Sequence, residues 1–109
     1  MIMTDFPVQK INEHVYWAIN RPWKGKGASS ERCVYVTLCL ISYFHRGFIV
    51  HASARDISER TGLSKDTVSK TLHRLRDMGW ITKITPTTQR QNPSMLAYEY
   101  RIDKLIEFM

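Results

Sequence analysis

Cysteine is scarce in this sequence: its 109 residues include two, Cys33 and Cys39. In a helix, six positions put them about 120° apart around the axis, too far to bridge. Two reduced thiols in a cytoplasmic setting are the expectation. No apolar run approaches the roughly 18–20 residues that span a bilayer, so no membrane partner is expected. The N-terminus carries Asp5 early and lacks the basic, apolar and cleavage segments of a signal peptide. Together these suggest a protein of the nucleoid or host-cell cytoplasm. There is no internal repeat, Gly-rich phosphate loop or nucleophile elbow. His14, His45, His51 and His73 fall in separate expected elements, and none has a metal-ligand spacing to cysteine or carboxylate. We therefore expect no catalytic residue, metal, cofactor or small-molecule ligand.

Acids are also in short supply. There are 10 Asp and Glu against 16 Lys and Arg, a formal charge of +6. Such a balance favours a polyanionic partner. The surplus is uneven. Residues 21–32 carry Arg21, Lys24, Lys26 and Arg32 against Glu31, and residues 53–92 carry eight basic and four acidic groups.

Residues 53–84 read SARDISERTGLSKDTVSKTLHRLRDMGWITKI. Ser53 with Asp56 three residues on forms a capping-box signal for a short helix. Gly62 suits the left-handed residue that would end it. Leu63 can plug the turn into the core, and Ser64 can cap a second helix running to about Met78. Gly79 stops that helix, and Trp80–Ile84 has the composition of a strand. Two helices joined by a tight turn, the second rich in Lys, Arg, His and Ser, have a geometry suited to the DNA major groove.

That second helix would be about 22 Å long. Val68, Leu72 and Leu75 share its core face. Asp66, Ser69, Lys70, His73 and Arg74 lie opposite, with Lys65 at the start and Arg76 to one side. Lys65, Asp66, Ser69, Lys70, His73 and Arg74 are the candidate base readers. Lys70 and Arg74 can donate to guanine, and Asp66 can accept from cytosine. An acid in the first turn also favours the helix dipole, which gives Asp66 a second explanation. Lys24, Lys26, Ser53, Arg55, Ser64 and Thr67 are candidate phosphate contacts.

Leu96, Tyr98, Tyr100 and Ile102 alternate with Ala97, Glu99 and Arg101, the period of a half-buried strand. With Thr82–Thr85 it would make a β-hairpin wing. Arg90 at the tip, between Gln89 and Gln91, can enter a narrow minor groove. The rival reading is a loop without contacts.

Upstream, residues 31–46 form a helix apolar nearly all round, which must be covered on several sides. Val34, Leu38, Ile41 and His45 lie on one face, Tyr35, Cys39 and Ser42 on a second, and Val36, Leu40 and Tyr43 on a third. Val8, Ile11, Val15 and Ile19 recur at helical spacing, although Val15, Trp17 and Ile19 also alternate as in a strand. Residues 21–27 read as a loop in which Trp23 either touches a sugar or tucks against the core. Phe48–Ala52 is a short strand. Residues 103–109 end apolar, as a helical turn packed on the domain or on a second subunit.

Residues 28–84 resemble the winged helix-turn-helix domains of phage and plasmid replication proteins and their small regulatory relatives. The resemblance rests on the apolar helix Arg32–Leu38, a helix like Ala54–Thr61, Gly62-Leu63-Ser64, Thr67-Val68, and Leu75 through Gly79-Trp80-Ile81, with Val15–Asn20 as a lead-in. It implies an α+β fold: a three-helix core, a C-terminal β-hairpin wing and an extra N-terminal segment. Residues 1–27 would be the extension and basic loop, 28–102 the winged-helix core and 103–109 the tail. The implied partner is double-stranded DNA, in the regulation of transcription or of the replication of a mobile element. A homodimer is expected because helix 31–46 has more apolar surface than a three-helix core covers and the tail carries Leu105, Ile106, Phe108 and Met109; the alternative is that residues 8–19 cover that helix within one chain. The competing function is a protein-interaction module. Cations concentrated on the reader helix and wing favour DNA.

Overall fold

The computed structural model describes residues 7–84 and 98–109. The chain order is α1 (Val8–Asn20), α2 (Ala28–His45), β1 (Ile49–Ala52), α3 (Ala54–Thr61), α4 (Lys65–Asp77), β2 (Thr82–Ile84), β3 (Tyr98–Arg101) and α5 (Asp103–Phe108). The three strands form an antiparallel sheet in the order β1-β3-β2. Helices α2, α3 and α4 with this sheet are the winged helix expected from the sequence. Arg90 and the rest of the expected wing loop lie outside the described residues.

Helix α1 settles the ambiguity at the N-terminus, but its buried face differs from the expected one. Ile11, His14 and Ala18 are fully buried, Val15 is half-buried and Ile19 is 46% exposed. The buried stripe follows the contact with α2 and so lies to one side of the Val8–Ile19 line. The helix ends at Arg21, whose extended backbone fits a residue before Pro22.

Helix α2 lies at the centre, with α1 on one side and α3 and α4 on the other. Val34, Tyr35, Leu38, Cys39 and Ile41 are buried. Both cysteines are free thiols. On the third apolar face Val36 and Tyr43 are half-buried against the core and Leu40 is 42% exposed, while Phe44 beside them is 70% exposed. The helix closes at Arg46, a non-glycine residue in the left-handed region with φ 56°.

The sheet keeps its expected alternation. Val50, Ala52 and Tyr100 are buried, while Ile49, His51 and Arg101 are exposed. Trp80 and Ile81 were expected to begin β2, yet the strand starts at Thr82. Gly79, with φ 77°, turns the chain back over the end of α4, and the Trp80 amide donates to Leu75 O at 3.0 Å. The indole of Trp80 is thereby drawn into the core. Helix α5 then folds back, burying Leu105 and setting Phe108 against His14 and Trp17.

Two residues of the basic loop, Arg21 and Trp23, pack inward. Trp23 donates from Nε1 to Ala18 O at 2.8 Å and packs against Trp80 and Tyr35. The Arg21 guanidinium lies over the rings of Trp17, Trp23 and Trp80, at 5.6, 4.9 and 4.8 Å from their centroids. Cation–π attraction and indole packing hold this loop in place. A sugar contact by Trp23 is therefore replaced by a structural role.

Candidate nucleic-acid interface

Local chemistry sets the angle at which α4 is presented. Ser53 Oγ accepts from the Asp56 amide at 3.0 Å, and the Ser53 amide donates to Asp56 Oδ2 at 3.1 Å. This closed capping box is worth about 1 kcal/mol. Gly62, at φ 83°, ends α3. Ser58 Oγ donates to Leu63 O at 2.5 Å, and Thr61 Oγ1 accepts from the Leu63 amide at 3.1 Å. Two side chains of α3 thus tie the turn, and half-buried Leu63 packs against the core as expected. Ser64 Oγ accepts from the Thr67 amide at 3.1 Å and starts α4. Burial of Val68, Leu72 and Leu75 anchors the helix, at about 1.5–3 kcal/mol for each side chain.

Lys65, Asp66, Ser69, Lys70 and His73 are exposed on α4. Lys70 Nζ pairs with Asp66 Oδ2 at 3.2 Å, with both side chains more than two-thirds exposed. Water screens such a pair, so Lys70 can leave it for a stronger acceptor. Asp66 thereby has a partner within its own helix.

Arg74 is not on this face. Its Nε donates to Glu31 Oε2 of α2 at 2.9 Å, and its Nη2 donates to Thr71 Oγ1 at 3.1 Å. Glu31 is nearly buried, with 11% of its side chain exposed. Arg74 sits on the flank of α4, where an acid across the helix interface draws it inward. Gly27 accommodates it: a Cβ there would lie 2.6 Å from Arg74 Nη2, and the φ of 87° is itself left-handed. In the free protein Arg74 is thus held as a bolt between α2 and α4 and does not extend from the exposed face.

The phosphate candidates also divide. Ser53 is 5% exposed, and its hydroxyl oxygen is engaged in the cap. Ser64 is exposed and Thr67 half-buried, with Ser64 Oγ donating to Thr67 Oγ1 at 2.9 Å. Arg55 is exposed and pairs with Glu59 at 3.3 Å. Lys24 and Lys26 are exposed in the loop before α2. Lys24 lines a hollow with Glu31 and Met78, which puts it near the C-terminal end of α4.

Two cations outside the candidate set meet at the other flank of α4. Arg76 and Lys83 share a cleft between α4 and the sheet with Lys65, Ser69, His73 and Tyr98. Helical periodicity places Arg76 beside the reader face. Nothing local in the sequence sets β2 against that flank, so Lys83 had no signal beyond its charge.

A helix pair with a capped turn, an exposed basic second helix and a flanking antiparallel sheet define a winged helix-turn-helix domain of the DNA-binding class. Residues 43–91 match the model of the MarR family, from the end of α2 through β2 and on to residue 91. That match supports the DNA-binding winged helix and carries no sign of a replication-protein kinship. No curated protein and no solved structure matches the chain. Among the described residues, no group of three or more His, Cys, Asp or Glu is arranged to hold a metal ion, and no helix is long and apolar enough to cross a membrane.

Proposed function

We propose that this chain regulates transcription, or replication control on a mobile element, by binding duplex DNA with α4 in the major groove. One observation carries the reading: Lys65, Ser69, Lys70 and His73 are all exposed on a helix whose opposite face is locked into the core. Lys70 and His73 read base edges, Ser69 and Lys65 support them, and Asp66 holds Lys70 ready in the free protein. Arg55, Ser64, Lys24 and Lys26 hold phosphates. Arg90 reaches a minor groove from the wing.

The reading includes a homodimer. Exposed Leu40 and Phe44 on α2, with Ile49 on β1, give an apolar surface for a second copy. A two-fold pair would set two reader helices about 34 Å apart, one turn of DNA. Selection of bound duplexes from a random pool tests both parts. A repeated motif, with half-sites one turn apart, is the expected product. Recovery of unenriched sequences would overturn base reading. A mass of one chain by light scattering, unchanged on DNA, would overturn the dimer.

A further inference from the structure

Between α4 and the sheet lies a cleft of about 510 Å³. Lys65 and Arg76 enter it from α4 and Lys83 from β2, with Tyr98 of β3 in the wall. Lys83 Nζ lies 3.8 Å from the centre of the Tyr98 ring. Among the described residues none of these three cations has an ion-pair partner. The one acid lining the cleft, Asp66, is engaged by Lys70 at 3.2 Å. Residues 85–97, which join β2 to β3, contain no Asp or Glu and so bring no counter-charge.

Like charges gathered in a concave, partly desolvated place repel one another, and the cost is relieved when an anion enters. Lys83 registers that cost: burial, and then the charge of Arg76, hold its ammonium pKa below the ordinary lysine value. Arg76 has only a 3.5 Å contact with His73 Nδ1, which leaves most of its guanidinium donors unengaged within the described residues. A planar donor fork beside an ammonium suits a tetrahedral oxyanion.

We propose that this cleft seats a backbone phosphate of the bound duplex, with Arg76 and Lys83 as its two clamps and Lys65 at the rim. The proposal rests on α4 being the DNA-facing helix. It assigns the clamps to affinity and register, and Lys70 and His73 to base choice. The shared chemistry is a phosphate oxyanion, which a free phosphate could also supply.

The test compares the unaltered protein with Arg76→Gln, Lys83→Gln and the double variant, using Lys10→Gln on α1 as a control. Affinity for the selected duplex and for a scrambled one is measured across salt concentrations. Loss of the seated phosphate should flatten the log–log salt slope by about 0.9 in the double variant and by part of that in each single variant. Affinity should fall by the same factor on both duplexes, and Lys10→Gln should keep the slope. Arg76 is exposed, so Arg76→Gln alone carries the test if Lys83→Gln fails to fold. Inorganic phosphate is titrated in parallel, followed by amide NMR. An unchanged slope in a folded Arg76→Gln variant overturns the clamp while leaving α4 as the reader. Saturable phosphate binding in the cleft with that unchanged slope assigns it to a free anion instead. No salt-dependent duplex binding by the unaltered protein overturns both readings.

Discussion

Lowering the pH from 7.5 to 5 should remove about 2 kcal/mol of stability through one side chain, His14. Its ring is fully buried between Trp17, Tyr35 and Phe108. His14 Nε2 lies 2.6 Å from the Tyr35 hydroxyl, while Nδ1 is buried without a hydrogen-bond partner among the described residues. Burial, and then the positive charge of Lys104, lower the pKa from 6.5 to about 4. Below pH 6.5 the unfolded chain takes up a proton that the folded chain resists. The stabilising difference is therefore complete above 6.5 and declines as the pH falls toward 4. Two and a half pKa units correspond to about 3.4 kcal/mol over the whole window, of which about 2 kcal/mol falls between pH 6.5 and 5. Urea unfolding at a series of pH values measures it. His14→Gln keeps one polar partner for Tyr35 without the titrating ring, and its stability should change less over that range by about 2 kcal/mol. A variant with the same pH dependence as the unaltered protein would refute the assignment to His14.

Arg74→Ala leaves Glu31 almost buried and unpaired; after discounting for solvent at the Arg74 end, it should cost about 1–2 kcal/mol in urea unfolding. Loss of base preference with unchanged stability would return Arg74 to the reader face. Lys70→Ala should do the reverse, changing stability by less than about 0.5 kcal/mol and weakening the selected duplex by about 1–3 kcal/mol, as competition binding would measure. Arg46→Gly should stabilise the chain by about 0.5–1 kcal/mol, because relief of a left-handed side chain exceeds glycine's added chain entropy. A lower urea midpoint would show that the Arg46 side chain makes a compensating contact.

What the sequence determined by itself is local. The Ser53–Asp56 capping box, the left-handed stop at Gly62, the Ser64 cap and the Val68–Leu72–Leu75 stripe each depend on residues within a turn or two of one another. Helical spacing and side-chain chemistry specify such features before any long-range contact forms. The exposed positions of Lys65, Ser69, Lys70 and His73 follow from the same periodicity. Tertiary structure decided whatever sits on a flank. A helical wheel gives an angle but no neighbour, so Arg74 turned inward only because Glu31, 43 residues earlier, lies across the α2–α4 interface. Trp23 and Arg21 became half-buried because Trp80, from a distant part of the chain, packs on them beside Trp17 of the preceding helix. His14 lost its ordinary basicity because α2 and α5 cover it. Arg76 and Lys83 became one cleft through the pairing of β2 with β3, a long-range pairing that sets the sheet against α4. Periodicity ranks residues as inside or outside. Which partner a borderline side chain meets is decided by the charges and rings that folding brings together.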